Sequence, residues 1–375
     1  MLTQEPLTES LTECRFCSQV SQANGEDPIG TAGTADYWLL MELAQPWTEK
    51  TFTENPQIKP LIELFKQAFM KRGVMIRPVL IAPDPEYSQP GKTRILYYQR
   101  SQQQFAQFEK QEFIVPETDF PRLAAAILKN LMQQPNELEA FQEYRQDTSQ
   151  IREILVCTHG NVDAACARFG YPIYQKLRED YATKPENGSS PSLRVWRCSH
   201  FGGHRFAPTA FELPGGRFWG HLEPEMLDLL VHHEGAVADL RSHYRGWAGL
   251  GKFEQVAERE IWMQEGWNWL GYNKYGRTTS KELKGIKRYI YGLARFIPLK
   301  QVRVFLEQWT KEATAAEVEI HFSSPDGKVS GIYSARVEES EPVMTASKSP
   351  KPGEAIDMSK LPQYRVSRLI KTATP

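Results

Sequence analysis

The sequence predicts an α/β (α+β) protein. Two tandem units, each a small mixed sheet flanked by helices, precede a C-terminal extension of helices and a β-hairpin. Three observations predict it. Short β-branched or aromatic runs alternate with stretches of helical apolar spacing from Tyr37 onward. The order β-α-β-β-β-α, read over residues 37–132, recurs over residues 153–232. Beyond residue 250 the chain turns aromatic and helical, and two strand-like runs then flank Ser324-Pro-Asp-Gly327, a strong hairpin signal. The expected units are 1–135, 150–248 and 250–375.

Residues 1–35 are polar and rich in Thr, Ser and Gly, and read mostly as loop. Tyr37 to Leu43 is a buried-strand candidate. Asn55-Pro56 then opens a helix, with Ile58, Leu61, Ile62, Phe65 and Phe69 at helical spacing and Gly73 closing it. Strands are predicted at 74–82, 94–98 and 112–115, and a helix at 120–132 with Asp119 as its cap. Residues 135–150 are a polar connector.

The second unit starts with a strand at 153–157 and a helix capped by Asp163 that runs to about Tyr181. A loop over 184–192, a strand at 193–197, and a strand-turn-strand over 209–221 follow, and Pro224 opens a last helix. Two such halves suggest tandem thioredoxin-like units. Residues 250–312 read as helical, 338–360 as a flexible linker, and 363–370 as one more strand.

The 375 residues are 41% apolar and 24% charged, ordinary for a globular protein, and carry a formal net charge of −1. That balance argues against a nucleic-acid binder or a polybasic membrane anchor. No apolar run approaches the roughly 18–20 residues of a membrane span, and the first residues lack the pattern of a secretory signal. Five clustered cysteines point to cysteine chemistry in a reducing compartment, here the cytoplasm, rather than to a disulfide framework.

The chemistry concentrates in two stretches, Cys157-Thr-His-Gly-Asn-Val-Asp-Ala-Ala-Cys166 and Cys198-Ser-His200-Phe-Gly-Gly-His204. Cys157 ends a strand, Cys166 lies just inside the next helix, and His200 and His204 occupy the loop after the following strand. All four converge on one edge of one βα unit, a donor set suited to a metal centre of two thiolates and two imidazoles. Gly202 and Gly203 are expected to let backbone pass close to an inorganic sulfide. A Cys2His2 zinc site accepts the same ligands.

These stretches, with Arg205-Phe-Ala-Pro-Thr-Ala-Phe-Glu-Leu-Pro-Gly-Gly-Arg-Phe-Trp-Gly-His-Leu222 behind them and Glu26-Asp-Pro-Ile-Gly-Thr-Ala32 ahead, resemble the sucrase/ferredoxin-like family. Its cluster half is similar to the thioredoxin-like [2Fe–2S] ferredoxins. The resemblance implies a [2Fe–2S] cluster held by Cys157, Cys166, His200 and His204, and one-electron transfer or redox sensing with an unidentified redox partner protein. Neutral imidazole in place of thiolate implies a higher, pH-dependent reduction potential. No acid/base carboxylate pair marks a sugar hydrolase, so electron transfer is favoured over sucrase activity.

Rival and neighbouring features use nearby residues. Cys157-x-His159 and Cys198-x-His200 faintly resemble a Rieske centre. Cys14-Arg-Phe-Cys17 has redox-motif spacing, the basis of a thiol-oxidoreductase alternative, but no strand precedes it. Cys198 reads as a small core residue, and His159 as a loop histidine able to hydrogen-bond near the site. His232-His233 reads as a helix end, and Trp196, Trp219 and the Trp262–Trp269 run as core. The basic stretch 281–303 reads as a solvated helical face or a dock for an acidic redox partner.

Overall fold

The computed structural model describes residues 16–48, 50–100, 103–134, 137–182, 192–285, 287–294, 297–351 and 353–373. Cys14 and most of the 184–192 loop lie outside them. The first half comprises α1 (Cys17–Ala23), β1 (Tyr37–Glu42), α2 (Thr51–Glu54), α3 (Lys59–Arg72), β2 (Ile76–Ile81), β3 (Lys92–Gln99), β4 (Glu109–Pro116) and α4 (Phe120–Leu131). A short β5 (Arg145–Gln146) leads into β6 (Arg152–Cys157), α5 (Ala164–Asp180), β7 (Leu193–Cys198), β8 (Ala210–Leu213), β9 (Arg217–Trp219), α6 (Leu227–His232) and β10 (Tyr244–Trp247). The remainder is α7 (Lys252–Glu265), β11 (Asn273–Glu282), α8 (Lys287–Ala294), α9 (Lys300–Trp309), β12 (Ala315–Ser323), β13 (Ser330–Ala346) and β14 (Met358–Ala373).

Ten strands form one mixed α/β sheet in the order β10-β9-β8-β6-β7-β2-β1-β3-β4-β5. Each half repeats one pattern. β1 runs parallel to β2 and antiparallel to β3, just as β6 runs parallel to β7 and antiparallel to β8. The halves meet edge to edge where Ile81 pairs with Cys198. Strand periodicity sorts the side chains: Trp38, Leu40, Leu96 and Tyr98 face one core, while Leu39, Met41, Ile95 and Tyr97 face a second one under α4.

The sheet coils so far that strands several places apart in it meet. Trp38 on β1 packs 4.5 Å from Phe211 on β8 and 5.5 Å from Phe218 on β9, ring centre to ring centre. At the far edge, Lys110 on β4 donates to Glu153 on β6 at 2.7 Å. Arg194 on β7 sits between Glu112 and Glu153 and is bonded to both. All these charged groups are buried, so they depend on one another for compensation.

Several expectations change. Residues 17–23 are helix α1 rather than loop. Asn55 caps a turn by accepting from the N–H groups of Gln57 and Ile58, and α3 starts only at Lys59. Asp119 precedes α4 but makes no cap bond; its carboxylate binds Arg122 at 2.9 Å. Residues 273–282, expected to be helical, form β11 along β12, because Tyr275, Gly276 and the Thr278-Thr-Ser280 run suit an edge strand better than a helix.

The linker expected over 338–360 is largely strand. β13 continues to Ala346 and pairs with β14. Its polar composition reflects an exposed ribbon whose partner lies well along the chain, and no local pattern announces that pairing. In the basic stretch, Lys281 donates to Thr310, while Lys287 and Lys300 pair with Glu312 and Asp36. Among the described residues no helix is long and apolar enough to cross a membrane.

Candidate metal centre

Cys157 is the last residue of β6, and its neighbour in the parallel β7 is Cys198. The loops leaving both strand ends therefore start side by side. Asp163 caps α5 by accepting from the Ala165 N–H at 2.9 Å, which sets Cys166 in the first turn, pointing back at Cys157. Close approach of helix and strand depends on Gly170: a Cβ there would sit 2.1 Å from the Cys157 carbonyl oxygen. Gly170→Ala is expected to push α5 off β6 and to lower the unfolding free energy in urea by about 3 kcal/mol. An unchanged midpoint would show that the helix yields freely.

Cys157 Sγ lies 3.7 Å from His200 Nδ1, and Cys166 Sγ lies 3.8 Å from the same nitrogen. The ligand atoms of these three residues all fall within 4.8 Å of one another. Cys157 is held well below the usual thiol range by its hydrogen bond from Cys166 and, against the cost of burial, by His200. Cys166 is pushed up by the same bond and by burial. The pair thus shares a proton that a cation would displace.

His204 stands beside this trio, its ring centre 5.3 Å from that of His200. Its Nε2–H donates to the Ser347 carbonyl at 2.7 Å, while Nδ1 is buried with no hydrogen-bond partner. One ring nitrogen tied to a carbonyl and the other left with a bare lone pair is the arrangement of a metal-binding imidazole. Burial lowers the proton affinity of this ring, which keeps it neutral. Two thiols and two such nitrogens suit a borderline-soft metal. The donor set fits.

His159 orients His200. It accepts from the His200 N–H at Nδ1, 3.3 Å away, and its Nε2–H donates to the Trp47 carbonyl at 3.1 Å. With both ring nitrogens engaged there, and with Cys166 rather than Cys198 or His159 joining Cys157 and His200 in one group, the Rieske-like set does not assemble. The glycine pair acts differently from expectation. Gly202 and Gly203 both take positive φ, 100° and 85°. A side chain at Gly202 would meet nothing, but a Cβ at Gly203 would sit 2.3 Å from the Arg245 guanidinium.

A second group, Cys17, Asp163 and His204, adjoins the first. Asp163 accepts from the Ser349 N–H at 2.8 Å and the Ser349 hydroxyl at 2.7 Å, so its carboxylate is satisfied. The Cys17 thiol donates to it at 3.6 Å and is pushed up to about 12, mainly by burial. A neutral, buried thiol is a poor nucleophile, which counts against thiol exchange at Cys17. Residues 347–349 thus strap the open side of the centre, 332 residues from Cys17 in the case of Ser349. Their local pattern carries no signal of this role. His232 and His233 lie elsewhere, by Tyr181 and Arg152. Trp196 donates to Glu153 at 2.6 Å, and Trp219 packs on Tyr244 and Trp262; both are core.

A thioredoxin-like [2Fe–2S] ferredoxin from Aquifex aeolicus is similar at 17% identity, over 23% of this chain and 80% of its own, with a TM-score of 0.19. No curated protein matches the chain. The sucrase/ferredoxin-like family matches residues 28–246, which include β1 to β9, most of β10 and all four candidate ligands, and the chain belongs to that family.

Proposed function

We propose that the chain is a cytoplasmic [2Fe–2S] protein of one-electron transfer or redox sensing, its cluster held by Cys157, Cys166, His200 and His204. The observation that supports this best is the meeting of two sulfurs and His200 Nδ1 beside the partnerless, buried Nδ1 of His204. When bound, the cluster supplies a single-electron acceptor and donor. The chain's own residues hold and shield it. His159 holds the backbone N–H of His200, and the Ser347 carbonyl aims the His204 imidazole. Ser349, Asp163 and Cys17 close the strap that limits water at the open side. The four described cysteines are free thiols, in keeping with a reducing compartment. The partner is another redox protein.

A single zinc ion is the second reading. Its support is the compact spacing, 3.7 and 3.8 Å between ligand atoms, which matches donors sharing one ion through bonds of about 2.0–2.3 Å. Absorption spectra with iron, sulfide and zinc analysis of anaerobically purified protein separate the two. Brown protein with about two irons per chain is expected; colourless protein with one zinc would replace the first reading by the second. In the brown protein, His200→Cys or His204→Cys is expected to keep a centre and lower its midpoint potential. A variant with the original potential would remove that histidine from the ligand set.

A further inference from the structure

Arg245, on β10, carries a charge that no carboxylate answers among the described residues. The side chain is 2% exposed, and its guanidinium donates to the Gly202 carbonyl at 3.0 Å, to the Thr31 carbonyl at 2.9 Å and to the Thr31 hydroxyl at 3.0 Å. It also lies over the rings of Phe206 and Phe218. The other buried arginines are different. Arg94 and Arg194 meet Glu112, Arg259 meets Asp27, and Arg217 acts on Glu212. A buried guanidinium with only neutral partners forfeits its hydration without a compensating anion, at a cost of several kcal/mol.

The stretch Glu26–Ala32 explains why. It wraps Arg245, since Thr31 and Ala32 also donate their N–H groups to the Arg245 carbonyl at 3.2 Å. Yet both carboxylates of that stretch are committed elsewhere. Glu26 takes Arg205 at 2.6 Å and the Thr345 hydroxyl at 2.6 Å, and Asp27 takes both terminal nitrogens of Arg259 at 2.6 and 2.7 Å. What remains opposite Arg245 is the centre itself. Its guanidinium holds the Gly202 carbonyl between His200 and His204, and the groups of opposite sign that act on it are Cys157 and Cys166. Burial, and after it the like charge of Arg205, push it down to about 9, while those two sulfurs pull it back up.

We propose that Arg245 is the internal counter-cation of the metal–thiolate centre, and that its charge raises the centre's reduction potential. This rests on the cluster reading above. Two thiolates and two neutral imidazoles leave an oxidised binuclear cluster without net charge, so the added electron brings the first uncompensated negative charge. A fixed positive charge in a dry site favours the state that holds that electron. Arg245 does not touch the reacting atoms by this account; it acts through the field and through the 200–204 loop.

Redox titration of purified, cluster-loaded full-length protein tests it. Arg245→Gln is expected to shift the midpoint to more negative values, and Arg245→Lys, which keeps the charge, to stay near the original. A brown Arg245→Gln protein with the original potential overturns the proposal. So does an equal shift in both variants, which would assign the residue to packing alone. Should Arg245→Gln fail to retain iron, Thr31→Asp places a carboxylate against the guanidinium and neutralises it in place. A lower potential then supports the proposal, and an unchanged one overturns it. Colourless, zinc-loaded wild-type protein would sink the cluster reading itself and this proposal with it.

Discussion

Cys166→Ala is expected to abolish metal retention while leaving the chain folded. The site loses one of two sulfurs that lie 3.7 and 3.8 Å from the same nitrogen, and an alanine methyl fits the vacated space in the first turn of α5. Cys157→Ala should do the same. Cys17→Ala and Cys198→Ala are the controls. Neither sulfur belongs to the group that Cys157 and Cys166 form with His200, and the Cys17 thiol is already bonded to Asp163. Metal content by mass spectrometry, read beside far-ultraviolet circular dichroism, distinguishes the four. Full metal content in Cys166→Ala, or equal loss in all four, would move the centre away from Cys157 and Cys166.

Glu153→Ala is expected to cost about 3–5 kcal/mol of stability, the penalty for leaving buried cations unpaired. Glu153 is fully buried and accepts from Lys110 at 2.7 Å, Arg194 at 3.0 Å and Trp196 at 2.6 Å. Lys110 belongs to β4 and Arg194 to β7, so this one carboxylate on β6 ties together strands from both halves of the coiled sheet. Urea unfolding of variant and wild type measures the difference. A loss below about 1 kcal/mol would reduce the cluster to the standing of exposed ion pairs.

The neighbouring Glu112 sets the acid limit of the same set. Burial raises its carboxyl, but Arg194, Arg94 and Lys110 outweigh that and bring it to about 2 from an ordinary 4.5. A carboxyl lowered on folding contributes stability above its unfolded value, and that contribution fades as pH falls from 4.5 towards 2. Unfolding midpoints are expected to drop across that window, and less steeply in Glu112→Gln.

Most strands and helices were legible because their signals are local. Tyr37–Glu42 is the continuous apolar run of a strand buried on both faces, Ile76–Ile81 ends in another such run, and Phe120–Leu131 carries the period of three to four of a helix buried on one face. The errors fell where a distant partner decides the outcome. Asn273–Glu282 lacks a strong pattern and became a strand because β12 offered it an edge. The 338–346 stretch is too polar for a core and is ordered by β14 instead.

The convergence of Cys157, Cys166 and His200 was legible from sequence alone, because each stands within three residues of the end of a strand or the start of a helix whose neighbours are adjacent in the sheet. Short connections between adjacent parallel strands put those loops at one edge whatever the rest of the chain does. Only the tertiary structure decided what surrounds them. The Ser347–Ser349 strap, the buried Cys17 and the lone charge of Arg245 reach the centre from β13, α1 and β10. Contacts across tens to hundreds of residues leave no period in the sequence. They follow from how far the sheet coils, which is set by packing summed over the whole core.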